Sequence, residues 1–233
     1  MKKLLVLLFL CLITAGDAQQ PDAKKPERPA RKPDASLAPI PDEPGLPRVL
    51  LIGDSISMGY TLPTRELLKG KANLHRIPAN GGSTKDGVAK IENWLGNAKW
   101  DVIHFNWGLH DLKHWKDGKL DPAGPEVSTL EEYEKNLRDL TKRLKSTGAK
   151  VIWATTTPVP EGSGGRTAGD EQKYNEVAAR VMKDLGVPTD DLRAACAPKL
   201  AEWQRPKNVH FTPEGYAGLA AKVAAEIEAA LKK

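Results

Sequence analysis

Two residues far apart in this chain have the chemistry for acyl transfer, Ser55 and His210. A serine hydroxyl attacks poorly near neutral pH and needs an adjacent base to take its proton. Histidine, which titrates near neutrality, suits that role best. Ser55 follows the apolar run Val49-Leu50-Leu51-Ile52, and Gly53 and Asp54 end that run abruptly. A short β-branched run of this kind suits a strand buried on both faces, and residues just past the carboxyl end of such a strand face the ligand crevice of open α/β sheets. Asp and Ser are also common helix caps, so this stretch alone is equally compatible with an ordinary turn. His210 lies in Asn208-Val209-His210-Phe211-Thr212-Pro213. Pro213 reads as the first position of a helix and Thr212 as its cap, so a tight turn holds the imidazole.

Two further segments lie between them. Asn80-Gly81-Gly82 is a turn whose glycine N–H groups an incoming oxygen can reach, Gly82 first and Gly81 as the alternative within one residue. Gly108-Leu109-His110-Asp111 follows a third apolar run. In order along the chain, Gly53-Asp54-Ser55, Gly82, the segment 108–111 and the final His210 segment resemble the conserved blocks of the SGNH (GDSL) hydrolases over residues 48–232. The match is strong in the first and last segments and irregular in the middle two. The resemblance implies that Ser55 is the nucleophile, His210 its base, and the N–H groups of Ser55 and Gly82 part of an oxyanion hole.

The sequence departs from that family in two places. The family's third block ends its oxyanion hole with an Asn side chain, where this chain has His110. A neutral imidazole still has one N–H to donate, so the chemistry is retained with a pH dependence added. Asn106, four residues earlier, is the fallback amide, and Asp54 and Asp111 are possible supporting residues. The last block carries an Asp three residues before the His, where this chain has Lys207. Three alternatives follow: Asp190 or Asp191 substitutes, a backbone carbonyl of the 205–208 turn accepts the Nδ1 proton, or the site is inactive. A carbonyl fixes the tautomer without supplying a charge, and the favoured reading is a slower Ser-His dyad.

His104, His110, Asp111 and His114 raise the question of a metal, but no second group of ligands accompanies them, so none is expected. The first strand-turn lacks a Gly-rich phosphate-binding pattern, so no cofactor is expected either. Trp107 and Trp115 flank the same edge and could stack on sugar rings, although a strand Trp is more often core.

The elements that must position these groups alternate between strand and helix. Strands are expected at 49–52, 73–77, 100–107, 149–160 and 187–192, and helices at 63–68, 86–95, 129–144, 170–185, 193–203 and 213–231. Val88, Ile91 and Leu95 mark the inner face of the second helix. Residues 112–127 read as a long polar loop over the site and 161–169 as a Gly-rich mobile segment. Alternation of this kind builds right-handed βαβ units. The expected fold is a three-layer αβα sandwich around a five-stranded parallel sheet, flavodoxin-like, as the SGNH resemblance also implies.

Lys2 and Lys3, the apolar run Leu4–Ile13 and the small residues to Ala18 form a secretory signal peptide, too short to span a membrane. Cys11 lies inside that apolar run, without the small residues a lipid-anchor site needs before it. Removing residues 1–18 lowers the formal charge from +5 to +4 and leaves Cys196 alone, which excludes an intramolecular disulfide. Residues 19–47 contain eight prolines and balanced charge, and read as a disordered linker before a domain at 48–233. The charge is too mild, and too little interleaved with aromatics, to suggest a nucleic-acid partner. The function expected is a secreted esterase acting on a small ester or an acetylated glycan. The alternative is a domain of the same fold that binds carbohydrate with a decayed catalytic set. The oligomeric state is not legible.

Overall fold

The computed structural model describes residues 34–232. The segment expected to be a signal peptide, and residues 19–33 of the Pro-rich segment, lie outside those residues. A sheet of five parallel strands forms the centre: β1 (Arg48–Ile52), β2 (Asn73–Arg76), β3 (Val102–Phe105), β6 (Lys150–Ala154) and β7 (Thr189–Asp190), in the order β2-β1-β3-β6-β7. The five strands are those read from the sequence, and the layered α/β architecture is as expected. Val49, Leu51, Ile52, Val102, Ile103 and Phe105 are fully buried, as a sheet covered on both faces requires.

The helices are α1 (Ser55–Leu67), α2 (Thr84–Leu95), α3 (Leu130–Lys145), α4 (Glu171–Leu185), the short α5 (Leu192–Cys196) and α6 (Leu200–Trp203), and α7 (Pro213–Lys232). The chain runs outward from β1 to β2 and then reverses across β1 to β3, β6 and β7. Right-handed crossovers therefore place α1 on one face and α2, α3 and α4 on the other. α1 and α5 pack on α7, while α2 packs on α3 and α3 on α4. The reversal point lies between the carboxyl ends of β1 and β3, and a doubly wound sheet opens its crevice there. Residues 53–55 leave β1 at that point, and residues 106–111 leave β3 beside them.

Four local expectations need correction. The first helix begins at Ser55, not near Pro63, which sits inside it. Asp54 caps the helix by accepting a hydrogen bond from Ile56 N at 2.9 Å, and Thr61 and Thr64 turn their hydroxyls back onto the carbonyls of Ser57 and Tyr60. That hydroxyl-rich composition disguised the helix. In α2, Val88 points outward at 49% exposure, and Gly87 faces inward instead. A Cβ on Gly87 would lie 2.8 Å from the Trp107 ring, so the absent side chain is what admits the indole. The long loop carries a two-stranded hairpin, β4 (Trp115–Lys116) and β5 (Lys119–Leu120). The Gly-rich segment is tied to its neighbours, with Arg166 Nε donating to Leu109 O and His114 N to Gly165 O.

The end of the Pro-rich segment also differs from a disordered linker. Asp42 pairs with Arg48 at 3.0 Å and with His75 at 2.6 Å. The buried Asn73 side chain accepts from Glu43 N and donates to the carbonyls of Glu43 and Leu46. Residues 42–46 therefore pack on the outer strand β2, because polar groups of β2 need partners that a sheet edge leaves unsatisfied, while the 35–37 turn packs on α1.

Candidate active site

Ser55 is the first residue of α1, held at the end of β1 by the capping Asp54. Its N–H belongs to the first turn, where no intrahelical acceptor exists. Arg76, the last residue of β2, fastens this turn. Its guanidinium donates to Gly53 O at 2.7 Å, Asp54 O at 3.0 Å, Ser57 Oγ at 2.9 Å and the carbonyls of Ile77 and Ala79. Burial lowers the Arg76 pKa to about 10, which still leaves it charged near neutrality. Sequence reading passed over Arg76, since a lone arginine ending a strand has no pattern to mark it.

His210 sits in the turn before α7. Arg205 N donates to His210 O, Thr212 N to Trp203 O, and Gln204 Nε2 to Pro158 O. Thr212 Oγ1 accepts from Gly215 N at the start of α7, as its capping position requires. Thus fixed, His210 Nε2 lies 2.8 Å from Ser55 Oγ, although the two residues are 155 positions apart. The other ring nitrogen, Nδ1, lies 2.7 Å from Asn208 Oδ1, which also accepts from His210 N at 3.0 Å. An amide oxygen only accepts, so Nδ1 carries the proton and Nε2 faces the serine with its lone pair. Burial lowers the His210 pKa from its usual value, opposed by the charge of Asp54 and reinforced by Arg205, Arg166 and Lys113.

Asn208 is thus the imidazole's partner, a residue that sequence reading missed. The signal was available: an amide two residues before a histidine in a tight turn can fold back on the ring. Lys207, at the expected Asp position, has left-handed backbone (φ 54°). The candidate substitutes lie elsewhere. Asp190 is buried against His104, 2.9 Å away, and Asp191 caps α5 through Ala194 N and accepts from Thr155 Oγ1.

A cleft of about 440 Å³ opens over Ser55 and His210, with Asp54, Asn80, Leu109, His110, Lys113, Arg166 and Asn208 among its walls. Another cleft of similar volume lies at the amino end of β6, between Lys145, Val187 and Ala230, and contains no nucleophile or imidazole. His110 Nδ1 lies 3.0 Å from Lys113 Nζ. An ammonium can only donate, so Nδ1 accepts and the neutral ring carries its proton on Nε2. Burial lowers the His110 pKa, with Lys113 and Arg166 acting in the same direction and Asp54 against. His110 thus lines the same cleft as Ser55 with Nε2–H as its free donor.

Gly82 has left-handed backbone (φ 62°), and its N–H donates to Asn80 Oδ1 at 3.0 Å. Gly81 N–H is committed to Gly53 O at 2.8 Å, and a Cβ on Gly81 would lie 2.7 Å from that oxygen. Asn106 Nδ2 bridges to Ala154 O at 2.7 Å, which ties β3 to β6 and removes it from the cleft. Asp111 is fully buried and holds Thr84 through N and Oγ1, locking the 108–111 loop to the start of α2. Burial raises the Asp111 pKa to about 6.

His104 bonds Asp190 and His114 bonds Gly124 O, so these groups do not converge. Among the described residues no group of three or more His, Cys, Asp or Glu is placed to hold an ion. Trp107 is fully buried and donates to Gly81 O, so it is core, whereas Trp115 stands 41% exposed on the hairpin. Cys196 is buried and unpaired, its pKa raised to about 11 by that burial.

A model of the GDSL-like lipase/acylhydrolase family matches residues 51–217, from the end of β1 into α7. The chain belongs to that family. GDSL-like acylhydrolases cleave carboxylic esters, so this protein is an ester hydrolase by membership. Solved structures share the fold at low identity. A lipase/acylhydrolase from Enterococcus faecalis matches with a TM-score of 0.67 and 20% identity over 79% of this chain and 96% of its own. The acetyl xylan esterase AlAXEase matches at 0.64 and 20% identity, over 77% and 99%. The acetylxylan esterase Axe2 from Geobacillus stearothermophilus matches at 0.62 and 22% identity, over 78% and 94%. A search of curated proteins found no match. Within the described residues of this GDSL-like hydrolase, no helix is long and apolar enough to cross a membrane.

Proposed function

We propose that this protein is a secreted serine esterase that removes small acyl groups, acetyl first among them, from carbohydrate. The carrying observation is the relay Ser55 Oγ–His210 Nε2–Asn208 Oδ1, with spacings of 2.8 and 2.7 Å at the floor of an open cleft. Ser55 Oγ attacks the acyl carbonyl while His210 Nε2 takes its proton. The new oxyanion is met by Ser55 N–H and His110 Nε2–H, and by Gly82 N–H once the oxyanion displaces Asn80 Oδ1 as its acceptor. The tetrahedral intermediate expels the alcohol, which leaves with the proton from His210. Water then attacks the acyl-serine, again giving its proton to His210, and the acid departs with Ser55 restored.

Asn208 fixes the tautomer but adds no negative charge, so the relay is a Ser-His-Asn set rather than a bare dyad. An Asn serves this role in cysteine proteases of the papain type. Secretion is supported by the Lys2, Lys3 and Leu4–Ile13 pattern. A carbohydrate ester is supported by the exposed Trp115 on the hairpin whose Leu120 lines the cleft, and by the acetylxylan esterases among the similar structures. The test is turnover of p-nitrophenyl acetate by the purified protein and by Ser55→Ala. Loss of about a thousand-fold or more, in a variant that still folds, is expected. Equal turnover would refute the assignment.

A further inference from the structure

Three cations gather over the candidate nucleophile against a single carboxylate. Lys113, Arg166 and Lys207 line the cleft, and Asp54 is its one acidic wall residue. Some cations elsewhere on the surface are paired, such as Lys71 with Glu228, Arg138 with Glu134 and Asp184, and Arg143 with Glu92. No ion pair among the described residues includes Lys113, Arg166 or Lys207.

These groups are also held in place. Arg166 Nε donates to Leu109 O at 2.9 Å and Nη1 to Gly164 O at 3.3 Å, which fixes the guanidinium and leaves its remaining N–H groups for a ligand. A planar guanidinium anchored in this way suits a carboxylate. Lys113 commits one of three donors to His110 Nδ1. The Lys207 stem lies against Gly162, where a Cβ would come 3.0 Å from Lys207 Cγ. Leu120, another wall residue, pairs across the hairpin with Trp115. Directly opposed residues of a hairpin share a face, so Trp115 projects from the same side of the hairpin as Leu120.

We infer that the natural ester carries an anionic group on its alcohol side, a carboxylate on an acylated acidic sugar, bound by Arg166 with Lys113 and Lys207. The inference rests on Ser55 being the nucleophile. Trp115 offers a face for the sugar ring, and the cationic wall selects the charge. A rival role for the same cations is to steady the oxyanion, which would speed every ester alike.

The test uses two methyl glycosides acetylated at the same hydroxyl, a galacturonide and a galactoside, which differ only in carboxylate against hydroxymethyl at C6. The expected kcat/KM is about ten-fold or more higher for the galacturonide at low salt. The preference should shrink in 0.5 M NaCl, as screening weakens an ionic contact. Arg166→Gln and Lys207→Gln should each drive the ratio of the two kcat/KM values toward one, through KM. Equal kcat/KM in the wild type overturns the inference. So does a ratio that neither variant alters, which would return these cations to the oxyanion or to solubility. Calorimetric binding of the deacetylated glycosides to Ser55→Ala reads the same preference without turnover. That arm separates a failed charge preference from a failed nucleophile assignment, and a preference for the neutral sugar there also overturns it.

Discussion

Replacing Asn208 by Ala and by Asp probes the relay from both sides. In the free protein Asn208 Oδ1 takes two hydrogen bonds, from His210 Nδ1 at 2.7 Å and from His210 N at 3.0 Å. When His210 accepts the serine proton it becomes an imidazolium, and a hydrogen bond from a charged donor contributes about 1.5–3 kcal/mol. Losing it in Asn208→Ala should lower kcat about 10- to 150-fold, at 1.4 kcal/mol per factor of ten, with little change in KM. Asn208→Asp replaces the neutral acceptor with a carboxylate and makes the bond charge-assisted on both sides. The half-exposed site screens that gain, so a rise in kcat of only a few-fold is expected. The pH profile gives the sharper reading. His210 must be neutral to act as base, so activity falls as pH drops through its pKa. Burial and the nearby cations hold that pKa below its usual 6.5, which places the acid limb of wild-type kcat/KM below 6.5. A carboxylate at 208 favours the imidazolium and should move that limb to higher pH. Steady-state kinetics on p-nitrophenyl acetate from pH 4.5 to 9 reports both effects. Normal kcat in Asn208→Ala, or an unmoved acid limb in Asn208→Asp, would refute the reasoning.

His110→Ala should lower kcat about a hundred- to thousand-fold with a small change in KM, as loss of one oxyanion donor does, and His110→Asn should recover part of it; normal turnover in folded His110→Ala protein would remove His110 from the site. Lys113→Met should free the His110 tautomer and lower kcat by a smaller factor, while Lys113→Arg, which can still donate to Nδ1, should rescue; equal kcat in the Met variant would show that the ammonium does not set the tautomer. A chain beginning at residue 34 should match the full-length protein in thermal melting. One beginning at Leu46 loses the Asp42 and Glu43 contacts to β2 and should lose about 2 kcal/mol, or about 4–8 °C in Tm; an unchanged Tm would show that those contacts contribute nothing.

The centre of the sheet was legible in the sequence because β1, β3 and β6 each contain a short apolar run, and buried parallel strands must be apolar on both faces. The nucleophile and its base were legible because each sits where an element ends, Ser55 at β1 and His210 before α7. What escaped was governed by contacts between distant segments. Asn208 resembled a turn residue until its amide was seen to reach back to His210. Arg76 is an unremarkable charge in sequence, yet it gathers four backbone carbonyls and Ser57 Oγ around the nucleophile's turn. Asn106 was a plausible amide donor by position, but its side chain is consumed in joining β3 to β6. The start of α1 was obscured by residues of modest helix propensity, whose hydroxyls find acceptors one turn back. The segment 34–47 looked structureless because its order comes from Asn73, Arg48 and His75 rather than from any apolar pattern of its own.

Covalent trapping tests the central claim most directly. The protein is incubated with a fluorophosphonate, which transfers its phosphonyl group to an activated serine with loss of fluoride. Intact mass and peptide mapping then locate the adduct. One adduct per chain, on Ser55, formed faster as His210 deprotonates and absent in Ser55→Ala and His210→Ala, is the predicted result. A wild-type protein that stays unlabelled while hydrolysing esters, or a label that persists on another residue in Ser55→Ala, would contradict it.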